Sequence, residues 1–295
     1  MNDVSHSPSG FYKGGSKLSM KIAVCIKPVP DPDYYDKITI DPVRKTITRS
    51  GIPTIINPVD KNALEAALQI KEQVGGTVTV ITMAPPNGEE SLREMLAMGA
   101  DEACLVTDRA FAGADTLATS YTLAQALKKI GSFDLVFTGT ESADGATSQV
   151  PAQLAEWLDV AHLWNVDELM VEDGKQIKAR MSIENGYIYY SLQIPALIAV
   201  KRSINKPRYT SVMGVIKAKK KPLTVLTSVD LVLDPERIGL EGSPTKAGAV
   251  STPSMTRKGQ NLTGETEEIT NQLIQVLRGA GINLETSNAN EGGGE

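Results

Sequence analysis

INPVDKNALEAALQIKEQVGGTVTVITMAPP, residues 56–86, holds a helix and a strand back to back. Asn57 suits the N-cap, Pro58 the first helical turn, and Asp60 the positive end of the helix dipole. Ala63, Ala67, Ile70 and Val74 recur at helical spacing, and Gly75-Gly76 stops the helix. Thr77–Met83 is then a β-branched run fit for a buried strand, closed by Ala84-Pro85-Pro86.

The same alternation continues on both sides. Lys21–Lys27 (KIAVCIK) reads as a short buried strand. A helix from about Glu89 to Met98 carries Leu92, Met95 and Leu96 on one face, with Gly99 where a left-handed C-cap is wanted. Ala103–Val106 is a strand, and Asp115–Ile130 is a helix with Leu117, Tyr121, Ala124 and Leu127 in register. Asp134–Phe137 is the next strand, before a helix through Leu154, Trp157 and Leu158. Strands alternating with helices predict right-handed βαβ units. The expected fold is therefore α/β: a doubly wound, mainly parallel, Rossmann-like sheet covered on both faces. Ligands in such sheets collect at the carboxyl ends of the strands. The loops after Lys27, Met83, Val106 and Thr138 are the places to search.

From about residue 163 the period changes. Ile177, Ala179, Met181 and Ile183 alternate with polar residues, and Asn185-Gly186 signals a hairpin returning through Tyr187–Ile194. This reads as an antiparallel extension of one domain covering residues 20–204. Residues 205–260, rich in Pro, Lys, Ser and Thr, suit an extended arm. A helix near Glu265–Arg278 places Ile269, Leu273, Val276 and Leu277 on one face, and its isolation suggests docking on another chain. Residues 205–282 are thus expected to form a partner-facing C-terminal arm. The polar ends, 1–19 and 283–295, read as disordered.

The 295 residues are 41% hydrophobic with a net charge of −5, which argues against general nucleic-acid binding. No apolar run is long enough to span a bilayer, and the N-terminus lacks a signal peptide's apolar stretch, so a cytoplasmic location is expected. Cys25 and Cys104 sit far apart in apolar runs and read as buried thiols. His6 and His162 have no partner motif, so neither a metal site nor a Ser-His-Asp triad is expected. Gly10–Lys17 comes near a Walker A loop but has its Ser and Lys reversed and no strand before it. There is no GxGxxG fingerprint.

Two loops carry more signal. Gly139–Gln149 (GTESADGATSQ) follows a strand and opens a helix, and its small residues would let backbone amides approach a phosphate. Asp108–Thr116 (DRAFAGADT) makes the same kind of connection, and Thr116 and Thr119 share a helix face. From pattern alone each loop also reads as an ordinary strand–helix connection. Lys217–Lys221 (KAKKK) fits a solvated face, or a docking patch for an acidic partner or phosphates.

At these residues the chain resembles the beta subunit of electron transfer flavoproteins. The resemblance covers about residues 20–280. It is carried by VCIKPVPD (24–31), INPVDKNALEAALQIKE (56–72), LREMLAMGADEACLV (92–106), GTESADGATSQV (139–150) and PRYTSVMGVIKAKKK (207–221). It implies an adenine-nucleotide-binding α/β domain paired with a larger alpha subunit. In ordinary members the beta subunit holds AMP; in the electron-bifurcating branch the same pocket holds a second FAD. DRAFAGADTLATS (108–120) resembles that branch, which implies FAD here, with AMP as the alternative.

By the resemblance the pocket would use Cys25, Lys27, Asn57, Asp60 and Met83. Asp115, Thr116 and Thr119 would hold the diphosphate and ribityl chain, and Gly139, Asp144, Gly145, Ala146 and Thr147 would complete it. Tyr209, Val212, Met213 and Lys217 would meet partners. The chain departs from the family at Pro151, which follows Val150 where many relatives have Gly-Pro, and at Ser142-Ala143, where Ala-Ile is common. The implied activity is bifurcation of electrons from NADH. One would go to ferredoxin or flavodoxin, the other through the alpha-subunit FAD to a flavin dehydrogenase acting on an acyl-CoA or a 2-hydroxy acid. No side chain needs to be catalytic. The rival readings are a plain electron carrier with structural AMP and a nucleotide-binding regulatory protein of universal-stress type.

Overall fold

The computed structural model describes residues 19–37, 39–40, 47–48, 52–172, 175–246, 248 and 259–283. Apart from Ser19 and Asn283, the ends expected to be disordered lie outside the described residues. The chain divides into two compact units, residues 1–250 and 251–295.

The first unit is built on one nine-stranded sheet. Its strands, numbered in chain order, are β1 (Met20–Cys25), β2 (Gly76–Met83), β3 (Glu102–Val106) and β4 (Leu135–Gly139), then β5 (Ala161–Glu172), β6 (Gln176–Ile183), β7 (Gly186–Gln193), β8 (Ala196–Val200) and β9 (Leu223–Leu226). Their order across the sheet is β7-β6-β5-β8-β4-β1-β2-β3-β9. From β5 to β9 along that order every pairing is parallel. β5, β6 and β7 form an antiparallel wing. The helices are α1 (Pro58–Val74), α2 (Gly88–Met98), α3 (Thr116–Ile130), α4 (Val150–Leu158) and α5 (Val212–Ala218).

Two cores result from the alternation of side chains across the pleat. Ile22, Val24 and Val80 meet Ala63, Leu64, Leu92 and Leu96 of α1 and α2 on one face. Ala23, Cys25 and Ile81 meet Leu123, Leu127 and Leu154 of α3 and α4 on the other. The doubly wound α/β expectation holds, and so does the antiparallel wing.

Two strands were not legible. β8 is buried throughout and lies between β4 and β5, parallel to both. The route from β4 to β8 runs through α4 and then the whole antiparallel wing, so no helix directly precedes β8 to announce a parallel strand. β9 is only four residues long and follows a lysine run, yet it pairs with β3 and closes that edge of the sheet. The segment expected to be an extended arm from residue 205 therefore starts inside the α/β unit, which continues to residue 250.

In the second unit, α6 (Thr266–Gly279) opens with a capping box between Glu265 and Glu268 and has no buried residue. Leu273 and Val276 remain 45% and 42% exposed. Among the described residues no helix is long and apolar enough to cross a membrane.

Candidate functional site

A cavity of about 970 Å³ opens at the carboxyl ends of β1, β2, β3 and β4. That is the upper end of the size range of small-molecule sites, roughly 300–1,000 Å³. Cys25, Lys27, Asn57, Asp60, Met83, Asp115, Thr116, Thr119, Gly139, Gly145 and Thr147 all line it. Asp144 and Ala146, expected beside them, do not.

One wall is braced from within. Asp60 is fully buried, and its carboxylate accepts from Lys27 N (2.7 Å), Asn57 Nδ2 (3.0 Å) and Gly139 N (3.1 Å). It thereby ties the end of β1, the start of α1 and the end of β4 to one atom group. Burial pushes Asp60 up to about 7, against the pull of those three hydrogen bonds. Asn57 was expected to cap α1, but it makes no side-chain cap bond. Its amide reaches instead to Asp60 and to Glu141 O (2.8 Å), while its Oδ1 accepts from Ala143 N (3.1 Å). Gly139 is forced by this closeness: a Cβ there would stand 2.4 Å from Asp60 Oδ1 and 3.1 Å from Val59 Cβ.

The 139–149 loop continues that wall. Lys27 Nζ pairs with Asp144 Oδ1 at 2.6 Å and donates to Ser142 Oγ at 3.3 Å. Asp144 thus acts on Lys27, behind the lining. Ala146 and Ser148 hold positive φ of 47° and 54°, a conformation costing a non-glycine residue about 1 kcal/mol or more. α4 starts after Gln149, whose side chain makes no cap bond, and carries Pro151, which has no N–H, in its first turn. Thr138 Oγ1 is buried beside the cavity with no hydrogen-bond partner among the described residues.

The facing wall is the 107–116 loop and α3. Asp115, expected with Thr116 and Thr119 to hold the diphosphate and ribityl chain, lines the cavity, and its carboxylate caps α3, accepting from Leu117 N (2.9 Å) and Ala118 N (3.0 Å). Those amides are therefore already taken. Partial burial raises the Asp115 carboxyl, but the bonds from Ala118, Thr245 and Leu117 outweigh it and leave it below the ordinary range. Thr116 and Thr119 do present one face to the cavity. Thr116 Oγ1 also donates to Gln149 Oε1 at 3.0 Å, linking the two walls. Phe111 and Leu123 supply apolar lining that no spacing rule singled out, and Arg109 stands exposed at the rim without an ion-pair partner among the described residues.

This lining offers hydroxyls, backbone groups and apolar contacts. Burial pushes the Cys25 thiol up far beyond its usual range, with Asp60 adding to the effect, and Cys104 up to about 12. Among the described residues there is no cluster suited to a metal ion.

Away from the cavity, Tyr209, Val212 and Met213 stand 98%, 79% and 60% exposed, and Lys217 is exposed beside them. Their segment is fixed to the body. Arg208 pairs with Glu65 (2.7 Å) and Glu72 (2.6 Å) of α1. Gly214 lies so close to α2 that a Cβ would sit 2.4 Å from Ala97 O.

Residues 45–231 match the Electron transfer flavoprotein domain. An electron transfer flavoprotein subunit beta of Thermoanaerobacterium thermosaccharolyticum is 48% identical, covering 88% of this chain and 98% of that protein. Subunit CarD of the caffeyl-CoA reductase-Etf complex of Acetobacterium woodii is 44% identical over the same shares. Protein FixA of Azorhizobium caulinodans is 43% identical over 80% of this chain and 85% of its own length. With that identity and coverage, the chain belongs to the electron transfer flavoprotein family, among its beta subunits.

Proposed function

We propose that the chain is the beta subunit of an electron-bifurcating electron transfer flavoprotein and holds an FAD, rather than AMP, in the strand-end cavity. The observation carrying this is the cavity's extent. It runs from the braced β1–β4 corner across to Phe111, Thr116 and Thr119, further than a mononucleotide needs. The residues fit the group. Amides of the 139–149 loop and of the uncapped α4 start would meet the diphosphate. The Thr116 and Thr119 hydroxyls would face the ribityl chain, and Met83, Phe111 and Leu123 would pack on the rings. The buried Thr138 hydroxyl would gain a partner.

Bound there, FAD supplies two-electron acceptance from NADH and one-electron release along two routes: to ferredoxin or flavodoxin, and to the FAD of a larger alpha subunit. The protein's share is to hold, orient and shield. The Asp60 and Asn57 bonds keep the 139–149 loop in one place, and Lys27, paired with Asp144, ties that loop to the end of β1. The exposed Tyr209–Lys217 surface suits a partner dehydrogenase. The name of the Acetobacterium woodii relative favours one acting on an acyl-CoA thioester. NADH added anaerobically to the complex copurified with its alpha subunit is expected to bleach flavin absorbance. A heterodimer that NADH leaves fully oxidised contradicts the proposal.

A further inference from the structure

The cavity wall made by residues 107–116 is held from outside by a distant segment. Past β9, residues 227–245 run back over this loop, and none of them lines the cavity. At one end, Ser228 donates to Asp108 Oδ2 through both N (3.1 Å) and Oγ (2.6 Å). At the other, Asp115 N donates to Ser243 Oγ (2.8 Å), and Thr245 N donates to Asp115 Oδ2 (2.9 Å). Ser243 is 3% exposed, and its hydroxyl also donates to Gly239 O (2.6 Å). Between the ends, Gly239 lies so close to the loop that a Cβ would stand 2.1 Å from Ala110 O. Gly113, at φ 77°, lies under Leu240, whose Cβ would be 3.0 Å from a Cβ built on it. Tyr121 OH of α3 accepts from Asp234 N (2.9 Å).

We infer that residues 227–245 are a positioning strap, with Ser243 its fixing point, that sets the loop carrying Phe111 and the start of α3 against the bound cofactor. The argument is one of bonding. Asp108 and Asp115 bracket the loop, and each spends one carboxylate oxygen on local amides and the other on the strap. Local bonds alone would fix the turn and the cap but not where the loop stands relative to β1 and β4. The strap supplies that placement, and it does so without touching the ligand. This rests on the reading of the cavity as the FAD site.

The test uses the heterodimer with its alpha subunit. Ser243→Ala removes the acceptor for Asp115 N, and Gly239→Ala wedges the strap off Ala110. Val232→Ala, 88% exposed on the same segment, is the control. FAD affinity of the beta site is read by flavin fluorescence, its seating by visible absorption and midpoint potential, and folding by thermal unfolding of the cofactor-depleted complex. Loss of one such hydrogen bond weakens FAD by about five- to tenfold if the wall's placement is what it supports. The expected result is that loss in Ser243→Ala, a larger one in Gly239→Ala, a shifted spectrum or potential in both, and none in Val232→Ala. Unchanged affinity, spectrum and potential in folded Ser243→Ala overturn the strap. If the wild-type beta site takes no FAD, the functional proposal fails instead. Should Gly239→Ala not fold, Ser243→Ala decides alone.

Discussion

The two walls of the cavity are built in opposite ways. The β1–β4 wall is braced by buried polar side chains, Asn57 and Asp60, whose partners are backbone groups that converge at the strand ends. The 107–116 wall has no buried carboxylate, and the one buried polar side chain that fixes it, Ser243, comes from outside it. It is held through half-exposed aspartates by a segment that returns from more than a hundred residues along the chain. The difference predicts where damage shows. Breaking the first wall should cost stability; breaking the second should cost ligand affinity.

The largest effect is expected from Asp60→Ala. It strands the amides of Lys27 and Gly139 and the Asn57 side chain in a buried site, costing about 3 kcal/mol or more. Asp108→Ala on the other wall should cost about 1 kcal/mol, because its partners can turn to water. Urea unfolding of both variants checks the contrast, and equal losses break it.

A second difference is in pH dependence. Asp60 binds its proton more tightly folded, at about 7, than unfolded, near 3.8. The stability from that proton is complete below about pH 4 and is lost as pH rises toward 7. Asp108 and Asp115 are lowered, so their contribution is present above the ordinary carboxylate range and lost on acidification. Between pH 5 and 8, unfolding free energy should therefore fall, on the order of 2 kcal/mol, through Asp60. The slope should flatten in Asp60→Asn and persist in Asp115→Asn.

The smallest effect sharpens the comparison at the ligand. Thr116→Val with Thr119→Val should cost under about 1 kcal/mol in unfolding, through the exposed Thr116–Gln149 bond, and weaken FAD by about tenfold, the worth of one to two hydrogen bonds. Calorimetry or fluorescence titration reads it.

The same contrast explains what the sequence disclosed. The Asn57-Pro58-Val59-Asp60 run marks the first wall because helix starts have local chemistry. Asn57 and Asp115 also carry structural bonds that the sequence did not announce: Asn57 braces a loop, and Asp115 caps a helix. Thr116 and Thr119 were found through helical periodicity. The strap was not legible, since Ser228, Ser243 and Thr245 carry no periodicity and meet their aspartates only through the tertiary fold. β8 escaped for a similar reason: its place between β4 and β5 depends on the hairpin wing, not on its own residues. No motif or spacing singled out Phe111 and Leu123.

The central claim is that the cavity holds a dinucleotide flavin. The direct measurement is denaturing extraction of the copurified heterodimer, with FAD and AMP counted by chromatography. Two FAD and no AMP per heterodimer is the predicted result. One FAD with one AMP would contradict it.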